Sequence, residues 1–102
     1  MSRLEQIRKM LVSEPRDVFL NFGLAMEYVK LGQLDEAVQQ FKRVIEIDPN
    51  YVPAYFQQGN ALVAQGKLHE ASAVLREGIE VAERIGDHHA AAEMGEVLAT
   101  FG

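Results

Sequence analysis

Gly32-Gln33-Leu34-Asp35-Glu36-Ala37 returns 34 residues later as Gly66-Lys67-Leu68-His69-Glu70-Ala71, with the Gly, Leu, Glu and Ala positions identical. A fixed period in the 30s marks stacked supersecondary units rather than one globular topology. The correspondence extends outward. Val18/Val52, Phe22/Phe56, Val29/Val63, Ile45/Ile79 and Glu46/Glu80 are also identical at the same spacing. Residues 18–51 and 52–85 are therefore read as two copies of one unit.

Each copy has two apolar periodicities of helical spacing, separated by a glycine turn. In the first copy, residues 18–31 predict a helix that is apolar on two sides. Leu20, Leu24, Ala25, Tyr28 and Leu31 form one stripe; Val18, Phe19, Phe22, Met26 and Val29 form another. Such a helix must be buried on more than one side or must present one side to something else. Residues 35–47 predict a helix with a single stripe of Ala37, Val38, Phe41, Val44 and Ile45, stopped by Asp48-Pro49-Asn50. Residues 51–64 and 68–85 repeat the pair. A two-sided helix alternating with a one-sided helix is the pattern of a two-layer solenoid.

The flanks continue the alternation. Residues 3–12 predict an outer-type helix whose Leu4, Ile7 and Leu11 fall on Val38, Phe41 and Ile45 when shifted by 34. Residues 87–101 predict an inner-type helix at an offset of 36, with Gly95 on Gly59 and Gly102 on Gly66. Asp17 and Asp87 are the expected N-caps. The expected division is 1–17 (half-repeat), 18–51, 52–85 and 86–102 (half-repeat or cap), all in one domain. Met94, Val97, Leu98 and Phe101 sit on a helix without a following outer mate. Unpaired apolar ends of this kind invite self-association, domain swapping or burial in a larger chain.

Composition narrows the chemistry. The 102 residues are 48% apolar and 25% charged, with no cysteine and a net charge of -5. Arg3, Arg8, Lys9 and Arg16 outnumber Glu5, Glu14 and Asp17, leaving +1 over residues 1–17; Asp87, Glu93 and Glu96 leave -3 over 86–102. An acidic chain without a basic stripe is a poor nucleic-acid binder. No apolar run approaches ~18 residues, so no membrane span is expected. The charged, amphipathic start reads as a helix rather than a secretion signal. The lack of thiols suits a reducing compartment, and a cytoplasmic location is the expectation. No nucleophile motif, phosphate-cradling loop or acid–base pair is present, so no enzyme and no cofactor are expected. His88 and His89 are adjacent and cannot share a helix face as metal ligands; they read as a helix start.

These residues resemble the tetratricopeptide repeat family, whose unit carries W-x2-L-G-x2-Y, then A-x3-F, then P. The first copy places Asn21, Leu24, Ala25, Tyr28, Ala37, Phe41 and Pro49 there; the second places Tyr55, Gln58, Gly59, Leu62, Ala71, Leu75 and Glu83. Asn21, Gln58 and Glu83 depart from the pattern without disturbing its packing logic. The resemblance covers 18–85 well and the ends more weakly. It implies an all-α fold: a right-handed superhelix of antiparallel helix pairs, about two and a half repeats in five to six helices. Ala25, Gly59, Ala37 and Ala71 would let helix backbones approach, with Phe41 and Leu75 filling the space between layers.

The resemblance also implies a concave groove lined by the inner helices. Its residues would be Phe22, Met26 and Val29, then Phe56, Asn60 and Val63, then Ala92, Glu96 and Ala99. This coincides with the second stripe. Such a Phe- and Met-bearing surface suits an amphipathic helix or an apolar peptide of a partner protein. The competing structural reading packs the same residues against neighbouring repeats as core. Some family members clamp a partner's terminal carboxylate with Lys, Asn and Arg. Here only Asn60 has a suitable side chain, and Phe22, Met26 and Glu96 stand where cations would help. The implied function is a non-catalytic scaffold or adaptor. A homodimer using the groove or the terminal helices is the alternative.

Overall fold

The computed structural model describes residues 1–101 and contains six helices in this span: α1 (Arg3–Ser13), α2 (Val18–Lys30), α3 (Leu34–Ile47), α4 (Val52–Ala64), α5 (Leu68–Ile85) and α6 (His88–Ala99). Gly102, the expected counterpart of Gly66, lies outside the described residues. The helix starts have local causes. Ser2 Oγ accepts from Glu5 N–H at 3.1 Å, Asp17 Oδ1 from Leu20 N–H at 2.9 Å and Asp87 Oδ1 from Ala90 N–H at 3.1 Å. Each satisfies an amide that the first helical turn leaves unpaired. α4 begins without a side-chain cap and carries Pro53 in its first turn, where a missing N–H costs nothing.

The repeated glycine is the hinge of each unit. Gly32 and Gly66 adopt φ of 76° and 75°, a left-handed conformation that a Cβ would penalise. Beyond Gly32, Gln33 N–H donates to Tyr28 O at 2.9 Å; beyond Gly66, Lys67 N–H donates to Leu62 O at 2.9 Å. These bonds close each inner helix with a Schellman turn and fix the direction of the next.

The helices pack as a row. α1 lies on α2, α2 on α3, α3 on α4, α4 on α5 and α5 on α6, with a lighter contact between α4 and α6. Each element thus touches its neighbours in sequence, as in a solenoid, and the body measures 40 × 29 × 18 Å. Ala37, Phe41, Val44, Ala71, Leu75 and Met94 are fully buried. The alanines lie where close approach is required, and Phe41 and Leu75 fill the interlayer space. No described helix is long and apolar enough to cross a membrane.

Several helix ends differ from expectation by one or two residues, α3 starting at Leu34 rather than 35 and α4 at Val52 rather than 51. α1 runs one residue further, to Ser13. α6 spans 88–99 rather than 87–101, because Asp87 serves as its cap and Thr100 Oγ1 turns back to Val97 O at 2.6 Å. Leu31, expected in the buried stripe of α2, is 51% exposed because it is the C-cap residue before the Gly32 turn.

Candidate functional site

The candidate groove residues fall on the three inner helices. On α2, Phe22, Met26 and Val29 are half-buried, resting on the cluster of Leu24, Ala25, Tyr28 and Phe41. On α4, Phe56, Asn60 and Val63 are also half-buried. Phe56 packs on the cluster containing Tyr55, Leu75 and Met94, and Val63 on that of Val38, Ala61, Leu62 and Ala71. On α6, Ala92, Glu96 and Ala99 are exposed. The stripe is therefore neither fully open nor fully core. One side of each large residue supports the solenoid while another meets solvent.

The aromatic end of the stripe has defined geometry. The Phe22 ring lies 5.7 Å from Phe41 and 5.3 Å from Tyr51, edge-on to the latter. Tyr51 also meets Phe19 edge-on at 6.2 Å, and Phe19 is 76% exposed. Edge-to-face pairs of this kind order the rings without hiding them. Phe19 belongs to the second stripe by periodicity, but Tyr51 was not legible as its partner. Tyr51 precedes α4 in sequence and reaches the end of α2 only because the α3–α4 turn returns there. Its phenol is raised above the usual tyrosine pKa, first by burial and then by the Asp48 charge.

The most buried polar side chains lie elsewhere. Asn21 is 3% exposed, and its amide donates to Asp17 O at 2.8 Å and Pro15 O at 3.1 Å while accepting from Gln40 Nε2 at 2.7 Å. Its departure from the aromatic of the family pattern is thus satisfied by hydrogen bonds. Gln58 is 2% exposed and lines a cleft of about 210 Å3 with Lys42, Ile45, Tyr55, Val74 and Glu77. This cleft between α3, α4 and α5 does not touch the proposed groove residues and was not anticipated from the sequence. His88 and His89 occupy the first turn of α6. His89 Nε2 stands 3.2 Å from Glu93 Oε1, with the imidazole exposed.

Comparisons with known proteins agree with this architecture. A TPR repeat model matches residues 25–61, and a tetratricopeptide repeat model matches residues 52–85. A TPR repeat-containing protein of Pseudomonas aeruginosa is 32% identical over 91 residues, spanning 89% of this chain and 87% of the relative. Other curated relatives are longer: the chain spans 22% of a small glutamine-rich tetratricopeptide repeat-containing protein of Mycosarcoma maydis, at 30% identity. Among solved structures, a Bordetella parapertussis protein superposes with a TM-score of 0.87 at 25% identity, covering 98% of this chain and 87% of that one. The TPR2B domain of yeast Sti1, solved with pHsp70, superposes with a TM-score of 0.88 at 23% identity, covering 94% and 77%.

Proposed function

The chain belongs to the tetratricopeptide repeat family, and from that premise we propose that it is a non-catalytic interaction module. It holds a peptide or amphipathic helix of another protein along the second apolar stripe. Phe22, Met26 and Val29, then Phe56, Asn60 and Val63, then Ala92 and Glu96 form the track. Residues 18–51 and 52–85 act as its two repeats, and 1–17 and 86–102 as flanking half-repeats of one domain. The partner is a protein rather than a nucleic acid or a membrane, and the cysteine-free sequence suits action in the cytoplasm.

The observation that carries this reading is Phe19, 76% exposed and held edge-on to Tyr51 beside half-buried Phe22. An ordered aromatic cluster left in solvent gives up burial free energy that a ligand would recover. The yeast Sti1 domain was solved with pHsp70, which supports peptide binding on this fold. In the present chain the contacts would be mainly apolar, with Asn60 available to hydrogen-bond the ligand backbone.

The test begins with 12-residue peptides selected by display on the immobilised chain. Amide chemical-shift mapping then locates each bound peptide. The expected shifts cluster on Phe19, Phe22, Met26, Phe56 and Asn60. Phe22→Ala with Phe56→Ala should weaken binding by at least about tenfold, the loss of two apolar anchors, while the helical circular dichroism persists. Because Phe22 also supports Phe41, Asn60→Arg serves as a second variant with less effect on packing. Selected peptides that shift the Gln58 cleft instead, or that bind both variants like the parent, would sink the groove assignment.

A further inference from the structure

We infer that the cleft between α3, α4 and α5 is a second binding site, and that it takes a free amino acid with a carboxamide arm, of the glutamine or asparagine type. The starting observation is Gln58. It is 2% exposed, on the floor of the cleft beside Tyr55. Tyr55 Oη is already engaged, donating to Pro49 O at 2.7 Å. The Gln58 amide makes no hydrogen bond to any described residue, and its polar atoms are not sealed in protein but meet the cleft. A buried amide without a partner costs stability, which a ligand in the cleft restores.

The equivalent place one repeat earlier satisfies itself. Shifting back by 34 puts Leu24 on Gln58, Asn21 on Tyr55, Gln40 on Val74 and Arg8 on Lys42. Leu24 is buried and needs no polar partner. Gln40 Nε2 donates to Asn21 Oδ1 at 2.7 Å, and Arg8 Nη2 donates to Tyr28 Oη at 2.6 Å. In the second place Val74 has nothing to offer Gln58. Leu62 stands where a tyrosine would hold Lys42. The same frame therefore carries an unanswered amide in one repeat and a leucine in the other.

The chemistry of the lining selects the ligand. The cleft holds about 210 Å3, below the ~300–1,000 Å3 of sites for drug-sized molecules, so its occupant is of amino-acid size. A primary amide both donates and accepts. A second carboxamide answers both functions in one reciprocal pair, whichever way the Gln58 amide is turned. A charged group at this depth would find no counter-charge. Ile45 and Val74, half-buried on the walls, suit the methylenes of the ligand side chain. Lys42 on α3 and Glu77 on α5 line the exposed rim with opposite charges. The ion pairs among the described residues, Arg3 with Glu27 and His89 with Glu93, leave both free. They take the ligand's α-carboxylate and α-ammonium. None of these residues belongs to the apolar groove, so failure of this inference would leave the peptide-binding proposal standing.

Titration of the isotope-labelled full chain with L-glutamine and with L-asparagine, followed by side-chain NMR, tests it. The expected result is a saturable shift of the Gln58 amide and of the Ile45 and Val74 methyls with one or both, at a Kd of about 1 mM or tighter. L-leucine, which has no amide, should bind at least about tenfold more weakly, because Gln58 then stays unpaired. N-acetyl-L-glutamine amide lacks both charges and should bind about fivefold more weakly than L-glutamine, the loss of two exposed ion pairs. Gln58→Leu should abolish the shifts while the melting midpoint holds or rises, since Leu24 fills that position one repeat earlier. No shift with either amino acid, or L-leucine binding as tightly, would overturn the inference. So would equal binding of the capped glutamine, which would make the ligand a side chain of a polypeptide. A lowered midpoint for Gln58→Leu would overturn it as well, by showing that the amide supports the fold.

Discussion

The segments 18–51 and 52–85 hold the same frame with different fillings. In the first, position 21 is Asn and position 44 is Val; in the second, the equivalent residues are Tyr55 and Gly78. A Cβ on Gly78 would stand 2.6 Å from Tyr55 Cβ and 2.7 Å from Met94 Sδ. The volume that Tyr55 adds on the inner helix is therefore removed from the outer one. Ala25 and Phe41 against Gly59 and Leu75 differ in another way: all four are buried, both residues are smaller in the second segment, and Leu75 reaches over a backbone that has no Cβ. Between Asn21 with Val44 and Tyr55 with Gly78 the summed volume recurs, as close packing requires. Residue identity at any one position matters less.

The largest expected effect comes from removing the interlayer side chain in each segment. Phe41→Ala should cost about 3–5 kcal/mol and Leu75→Ala about 2–5 kcal/mol in urea unfolding, since both sites are sealed. A loss under 1 kcal/mol at either site would mean that the two contacts are not equivalent. Overpacking comes next. Ala37→Leu and Ala71→Leu should each cost about 1–3 kcal/mol, and unchanged melting midpoints for both would count against the shared small-residue contact.

The Gly78/Tyr55 exchange sharpens the comparison further. Gly78→Val alone should overpack against Tyr55 and Met94. Joined with Tyr55→Asn, it reproduces the filling of the first segment, and the double-mutant cycle should show a favourable coupling of about 0.5–3 kcal/mol. A coupling near zero would show that the two positions vary independently, and the volume argument would fail for this pair.

The frame was legible because its determinants are local. Gly32 and Gly66 mark turns through their positive φ, Asp17 and Asp87 cap helices within three residues, and two-sided against one-sided periodicity separates inner from outer helices. Gly78 was missed: in the sequence it is one glycine within a helix, and its reason, Tyr55 and Met94 on two other helices, exists only after stacking. Tyr51 was missed for a related cause, since its contacts with Phe19 and Phe22 span the whole α3–α4 return. The candidate groove residues were placed by register alone. Periodicity tells which residues share a face, whereas their degree of burial depends on how tightly successive inner helices converge. Phe22 and Phe56 therefore could not be sorted between surface and core before the packing was known, and each is half-buried.

The smallest expected effects concern a contact that the two segments share by unlike means. Asn21 Nδ2 donates to Pro15 O at 3.1 Å, and Tyr55 Oη donates to Pro49 O at 2.7 Å. Each donor stands six residues after its proline, so an amide and a phenol perform the same tethering of the preceding turn. Asn21→Ala should cost about 1–3 kcal/mol, because it also strands Gln40 beside a buried site. Tyr55→Phe keeps the ring and loses one hydrogen bond, about 0.5–1.5 kcal/mol. Its signature is pH dependence. Burial, then the Glu77 carboxylate, raises the Tyr55 pKa above the usual value, with Arg84 opposing and Asp48 adding to the rise. Below about pH 10 the phenol is protonated in both folded and unfolded chains, and its contribution is complete. Above that, the unfolded chain ionises first, so stability falls until the folded-state pKa is passed. Urea midpoints at pH 7 and pH 11 should therefore converge between parent and Tyr55→Phe as pH rises, with Tyr51 leaving a residual alkaline slope in both. A difference that stays constant with pH would show that the Pro49 tether does not depend on the phenol proton.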